Sequence, residues 1–342
     1  MTVIVHAGIT LDALQRELAW RNQWLPVDPP IIATATPGLP TRSPGSRTLA
    51  GLIASNSLGP LRFGSGDWRL FIMGMHWIDA AGRLIHAGGR TVKNVAGYAS
   101  HRLMIGSFGS LGAIAQVALR TFALPPDEKC ILFFCPSAAI AEQLLAAILT
   151  SPTTPAYLQL VGEKTFHSNP LQLPAAPGAM VLIAGFLGEP PICDAQIETL
   201  RNLHPATKLE SLSQTAAQAG RLRLWMTTEP ALAPETPGAG FRIHARSSDT
   251  AAMLSAIESA ADAPAHVWAV CEAATGILRG SLTSPSAPET IRRIAKQFNA
   301  RFLYTQGCSN ISTPDDLAIR IKRSLDPDGL LPDSPGDGTS ST

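Results

Sequence analysis

Leu103-Met104-Ile105-Gly106-Ser107-Phe108-Gly109-Ser110-Leu111-Gly112 decides how this chain is read. Glycine recurs at every third position from Gly106 to Gly112, and Gly88, Gly89 and Gly97 lie just upstream. Glycine loses more backbone entropy on folding than any other residue. A cluster is tolerated where the chain turns through φ > 0 or approaches a ligand closely. The stretch is almost uncharged, so its amides and the Ser107 and Ser110 hydroxyls suit a flat polar ring or a phosphate. A tightly turned buried loop without a ligand is the competing reading of the same spacing. The pattern is not the dinucleotide fingerprint: it is G-x-x-G-x-x-G, it precedes a strand at 113–122, and no ribose-binding acid follows at the expected distance. Walker A, H-E-x-x-H and G-x-S-x-G patterns are absent.

Upstream, Lys93-Asn94-Val95-Ala96-Gly97-Tyr98 reads as a loop whose lysine either neutralises a ligand or is merely solvated. Residues 70–79 and 83–87 read as a β-hairpin with Gly82 in the turn. His76 and His86 face each other across it, but two histidines with no carboxylate or thiolate make a poor metal site, and no metal is expected. Trp68 and Trp77 read as core. Thr48 to Gly59 reads as a short capped helix of small residues followed by a glycine turn. Its first amides are expected to be free for an anion, with ordinary close helix packing as the alternative. At the start, residues 2–7 read as a strand. Thr10 caps a helix over 11–22 that places Leu11, Leu14 and Leu18 on one face. A strand opening at residue 2 needs a partner and nothing upstream supplies one, which suggests an absent neighbouring piece.

Downstream, Pro125-Pro126 marks a boundary. Beyond it the pattern becomes strand–helix–strand. Strand 130–135, a Ser137-capped helix to about 149 and strand 156–161 form one unit. Strand 241–245, helix 250–261 and strand 266–271 form another, with further strands at 180–187 and 276–282 and helices near 195–203 and 288–299. The predicted organisation is a first domain over 1–125, a second α+β domain over 126–300 with helices on one face, a strand and helix over 301–331 returning to the core, and a disordered tail over 332–342.

Composition excludes several classes. The 342 residues carry a net charge of +1 with no Lys/Arg block, so broad electrostatic binding to nucleic acid is not expected. No apolar run approaches the roughly 20 residues that span a bilayer. The N-terminus has no signal-peptide pattern, and five dispersed cysteines signal neither a zinc site nor a disulfide framework; a cytoplasmic protein is expected.

Together these segments resemble the PCMH-type, vanillyl-alcohol-oxidase-like FAD-binding fold, and specifically the E subunits of bacterial glycolate oxidase. Thr48-Leu49-Ala50-Gly51 resembles the fold's T-x-G-G turn, with Ala50 in place of a glycine. Ala54 to Pro60 resembles the A-x-N-x-x-G-P stretch that follows. Gly66-Asp67-Trp68-Arg69, the K-N-V-A-G-Y element and the glycine stretch complete the series, and Asp326-Pro327-Asp328-Gly329-Leu330 resembles the family's ending. The resemblance implies an α+β flavin domain whose first subdomain is largely missing, joined to a second α+β domain. It implies FAD as cofactor, held by Thr48, Gly51, Asn56, Gly59, Lys93, Asn94, Gly97, Tyr98, Gly106, Ser107, Gly109, Ser110, Gly112 and Ile114. It further implies oxidation of a small 2-hydroxy acid to the 2-oxo acid, with a homologous flavoprotein D subunit and an iron–sulfur F subunit as partners and any membrane association made through them. No catalytic residue is nominated. Two classes stay open: an FAD-bearing redox subunit, and a non-catalytic scaffold that keeps the fold without the flavin.

Overall fold

The computed structural model describes residues 1–32, 47–89, 98–176, 179–203, 210–230, 239–260, 267–306 and 316–333. Two antiparallel sheets organise them. The smaller contains β1 (Thr2–His6), β4 (Ile72–Ile78), β5 (Leu84–Gly88) and β6 (Ala113–Arg120) in the order β1-β6-β4-β5. β1 has its partner within the chain: Val5 stands opposite Val117 of β6. That corrects the argument from a missing upstream partner, because the pairing strand lies far downstream where a local reading does not look. The hairpin forms as expected, with His76 opposite His86 and Gly82 turning at φ 76°.

Helix α1 (Leu11–Ala19) starts at Thr10, whose Oγ1 accepts from Ala13 N at 3.3 Å, and buries Leu11, Leu14 and Leu18 against the sheet. It stops short of the expected Asn22, which takes φ 51°. Three short helices follow: α2 (Leu49–Ala54), α3 (Arg62–Ser65) and α4 (Trp68–Phe71). Trp68 is fully buried and donates Nε1 to Ser57 O at 3.2 Å; Trp77 lies in the same core. Two small pairs tie distant segments: β2 (Gln23–Trp24) with β7 (Phe122–Ala123), and β3 (Ile31–Ile32) in parallel with β12 (Thr228–Glu229).

The larger sheet contains β8 (Asp127–Cys135), β9 (Tyr157–Gly162), β10 (Met180–Gly188), β11 (Glu210–Gln214), β13 (Ala239–His244), β14 (Val267–Glu272), β15 (Ile277–Leu282) and β16 (Arg301–Gln306). Their order is β11-β8-β10-β9-β14-β15-β13-β16, so β8 and β6 lie in different sheets. Helices α5 (Ala138–Thr150), α7 (Pro190–Arg201), α9 (Thr250–Ala260) and α10 (Ala287–Gln297) form the helical layer on one face. Ser137 caps α5, accepting from Ile140 N at 3.4 Å. α7 begins earlier than its apolar pattern indicates, because Pro190-Pro191 presets φ in the first turn and needs no amide partner there. The opposite face receives α6 (Glu163–Phe166) and α8 (Ala216–Thr227), whose Ala219, Leu222 and Met226 pack on Leu132 and Val181. α11 (Asp316–Leu325) closes the described chain, and its following turn is clipped by Asp326, which accepts from Leu330 N and Leu331 N. Residues 334–342 of the expected disordered tail lie outside the described residues, as does Cys308; the other four cysteines are buried and free.

One buried ionic network joins the two parts. Arg223 of α8 donates Nε and Nη2 to Glu128 of β8 at 2.8 and 3.0 Å, and Nη1 to Asp28 at 3.2 Å. Tyr157 OH adds a bond to Glu128 at 3.1 Å. Asp28 also accepts from Leu61 N at 3.1 Å. Burial pushes the Asp28 carboxyl up to about 6, outweighing Arg223, whose two-pronged contact is given to Glu128.

Candidate functional site

The glycine stretch folds back onto α2. Gly106 N donates to Ile53 O at 3.1 Å and Phe108 N to Ala54 O at 2.8 Å, so two of the loop's amides cap the orphan carbonyls at the end of α2. Gly106 and Gly109 sit at φ 79° and 84° and Phe108 at 53°, the left-handed region that favours glycine. The Ser107 hydroxyl donates to Met104 O at 3.0 Å and the Ser110 hydroxyl to Ser107 O at 2.7 Å, so both buried hydroxyls spend their protons within the loop. Among the described residues, a Cβ built on Gly106 meets within 4 Å only Asn56 Cβ at 3.5 Å, and one on Gly109 only Pro332 Cγ at 3.7 Å.

The start of α2 departs from expectation. Leu49 N is bonded to Ile9 O at 2.9 Å, Ala50 N to Ala7 O at 2.7 Å and Gly51 N to Thr48 Oγ1 at 3.3 Å. All three amides of the first turn have partners in the chain, so the anion seat expected at this terminus is not formed.

Asn56, with φ 47°, connects the loop to a pocket. Its carbonyl and Oδ1 accept from Arg62 Nη2 at 3.4 and 3.2 Å. Arg62 lines a pocket of about 650 Å³ with Gly66, Asp67, Arg69, Leu70, Arg102, His244, Thr275 and Ile277. The pocket thus draws on α3, α4, the 3-10 turn Ser100–Met104 and the large sheet.

The sheet face behind it is unusual. Along β9, β13, β14 and β15, alternate residues such as Leu158, Leu160, Phe241, Ile243, Cys271 and Leu278 enter the helix-side core. The intervening positions hold Gln159, Arg242, His244, Glu272 and Arg279, and register sets Gln159 beside Glu272, and Arg279 beside Arg242. Arg279 is buried with Glu229 Oε1 3.5 Å from its Nη1, and it lies over the Trp268 ring at 5.7 Å. Burial raises the carboxyls of Glu229 and Glu272 despite the nearby guanidiniums. Arg242 is pushed down by burial to about 10 and stays charged at neutral pH. His244 reaches solvent at the mouth, yet partial burial and the guanidiniums of Arg242, Arg62 and Arg301 hold it below its usual range. Both polar atoms of Gln159 and the Nε atoms of Arg62, Arg242 and Arg279 are buried without a hydrogen-bond partner. Such atoms are costly unless something satisfies them, and they converge on this face.

The structure thus brings Asn56, Gly106, Ser107 and Gly109 together. Thr48 is exposed at the other end of α2 and Tyr98 is almost fully exposed. Gly59 packs on Asp28, where a Cβ would lie 1.7 Å from the carbonyl oxygen, and Gly112 packs on Ile78 in the same manner at 2.6 Å. Ile114 pairs with Trp77 and joins the core. Lys93, Asn94 and Gly97 lie outside the described residues. Sequence reasoning missed the polar sheet face. Its signal was present: charged or amide residues at alternate positions of otherwise apolar strands, as in Phe241-Arg242-Ile243-His244.

Comparison with solved structures defines the fold class. The chain superposes on alkyldihydroxyacetonephosphate synthase with a TM-score of 0.64 at 15% identity, covering 98% of this chain and 64% of that one. The chain has this PCMH-type α+β fold. Among curated sequences it is similar to subunit GlcE of the glycolate oxidase of Escherichia coli (strain K12), 31% identical over 125 residues, 36% of this chain and 33% of the relative. It is also similar to the D-2-hydroxyglutarate dehydrogenase of Xanthomonas citri pv. viticola, 29% identical over 54% of this chain and 35% of that protein. Subunit GlcD of the glycolate oxidase of Bacillus subtilis (strain 168) is 28% identical over 54% of this chain and 37% of its own length. The chain therefore spans about a third of the length of the curated relatives it matches. No family model matches it. Among the described residues no helix is long and apolar enough to cross a membrane.

Proposed function

We propose that this chain is an FAD-bearing subunit of an oxidoreductase that converts a 2-hydroxy acid to the 2-oxo acid within a multi-subunit complex. The observation that carries this reading is the series of contacts from the glycine loop through Asn56 to Arg62, which lines a cationic pocket against the large sheet. The residues fit a flat cofactor. Among the described residues little approaches a Cβ added at Gly106 or Gly109, and Arg62 Nε and His101 Nδ1 are buried without partners on segments that border the loop.

FAD, when bound, supplies the hydride acceptor. The chain's own residues do the rest. Gly106 and Gly109 allow the backbone to approach the ring, Asn56 fixes Arg62, and Arg62 and Arg242 attract the substrate carboxylate. In this reading residues 1–125 hold the cofactor and 126–300 cover the substrate. The likeness to glycolate oxidase subunits supports further subunits as partners, and in this reading a flavoprotein and an iron–sulfur protein among them receive the electrons.

A second reading, a scaffold without flavin, is favoured by one observation: the first amides of α2 and the Ser107 and Ser110 protons are consumed within the chain. The absorption spectrum of the chain purified with FAD present separates the two. The flavin reading expects bound flavin in about equimolar amount after removal of free cofactor; a colourless protein supports the scaffold and overturns the redox assignment.

A further inference from the structure

We propose that His76 and His86 hold a divalent transition-metal ion of the Ni²⁺ or Cu²⁺ type on the outer face of the smaller sheet. The two stand directly opposite each other on β4 and β5, so their side chains leave the same face. Their ring centroids are 4.6 Å apart, with the rings at 83°. Two imidazoles that share one ion, each nitrogen about 2.0–2.1 Å from it, set their centroids about 4.5–5.5 Å apart as the angle at the metal opens from about 90° to about 120°. The observed separation falls at the narrow end of that span, which suits neighbouring positions of an octahedral or tetragonal ion better than tetrahedral zinc. Neither histidine lines the pocket, so the inference is independent of the flavin reading.

Donor type alone argues against a metal here, because the pair brings no carboxylate or thiolate. The fold adds spacing and access. Met75, Trp77, Ile85 and Ala87, the neighbours of the pair along each strand, point into the core and anchor both strands. The hairpin therefore presets the separation of the rings, and little ordering is left to be done when an ion arrives. His86 is exposed on the edge strand and His76 is half-buried, so an ion reaches them from solvent. The flanking positions of the same face are Gly74, Ile78, Leu84, Gly88 and, across on β6, Gln116; none carries a positive charge that would repel a cation. Among the described residues no cluster of three or more His, Cys, Asp or Glu side chains offers a competing site. The row continues through Gln116 to His6 on β1. His6 lies two strands from His76, about 10 Å at the usual strand spacing, too far to share an ion, and so serves as an internal control.

The test is calorimetric titration of the full-length chain with Ni²⁺ in a buffer that does not bind metal, with the His86→Ala and His6→Ala variants alongside. Saturable binding of a single ion per chain is expected. Loss of a partner outside the coordination shell typically costs about 10- to 100-fold in metal affinity, so His86→Ala, which removes a ligand from an exposed position, is expected to weaken binding at least about tenfold. His6→Ala is expected to leave the affinity within about twofold, because its ring lies beyond reach of the ion. Electron paramagnetic resonance of Cu²⁺ bound to the parent chain is expected to show coupling to the nitrogens of both imidazoles, and to lose one of them in His86→Ala. No saturable binding of Ni²⁺ by the parent chain means that the two rings make an aromatic contact only, and overturns the inference. An unchanged affinity in His86→Ala, or equal losses in the two variants, overturns it as well.

Discussion

Replacement of Arg279 by methionine is expected to lower the unfolding free energy by about 3–5 kcal/mol, the range for removing one partner from a buried ion pair. Arg279 is the guanidinium facing Glu229, and it is also the largest charge influence that holds Glu272 down. Methionine keeps much of the packing against Trp268 but leaves two buried carboxyls without that counter-charge. Both carboxyls are already raised by burial and will rise further. A carboxyl whose folded pKa exceeds its unfolded value contributes stability at low pH that is lost as pH rises through the folded pKa. The deficit of the variant is therefore expected to be larger at about pH 8 than at about pH 5. Denaturant midpoints at the two pH values read it, and Glu229→Gln in the same background should restore part of the loss. A deficit below about 1 kcal/mol and flat with pH would contradict this account of the sheet face.

Gly59→Ala is expected to cost at least about 3 kcal/mol, because the new methyl would overlap backbone in a closed junction. Its Cβ would sit 1.7 Å from Asp28 O and 2.5 Å from Asp28 Oδ1. Asp28 cannot easily retreat, since Leu61 N and Arg223 hold its carboxylate from two sides. Gly82→Ala is the control. Gly82 has a positive φ, which Gly59 does not, but among the described residues nothing lies within 4 Å of its added Cβ, so only backbone strain of about 1 kcal/mol is expected. Thermal unfolding of the two variants side by side checks the difference; equal losses would mean that the junction with Asp28 yields to the added methyl.

What was legible in the sequence was local. Thr10 and Ser137 announce helices because a side-chain oxygen three residues before an amide is a short-range event. Gly82 marks its hairpin for the same reason, and the density of glycine around Gly106 points to a special loop. The long-range parts were not legible. β1 pairs with β6 across α1, α2 and the hairpin, and the carbonyls of Ala7 and Ile9 reach the α2 amides from that same remote turn. Nothing near Thr48 shows that those amides are taken. α8 was missed because its polar and apolar residues follow no single stripe: it buries Ala219, Leu222, Met226 and Thr227 together with the ion-paired Arg223. The polar sheet face was missed because Arg242, Glu272 and Arg279 look like solvent-facing strand positions until a second layer covers them.

Amide hydrogen exchange with and without FAD tests the flavin placement at the residues concerned. Binding as described slows exchange in two segments, the turn around Asn56 and the loop from Gly106 to Gly112, and leaves the remote helices α5 and α7 unchanged. No protection on adding FAD at saturating concentration, or protection confined to segments away from Asn56 and Gly109, would contradict a flavin site on this chain.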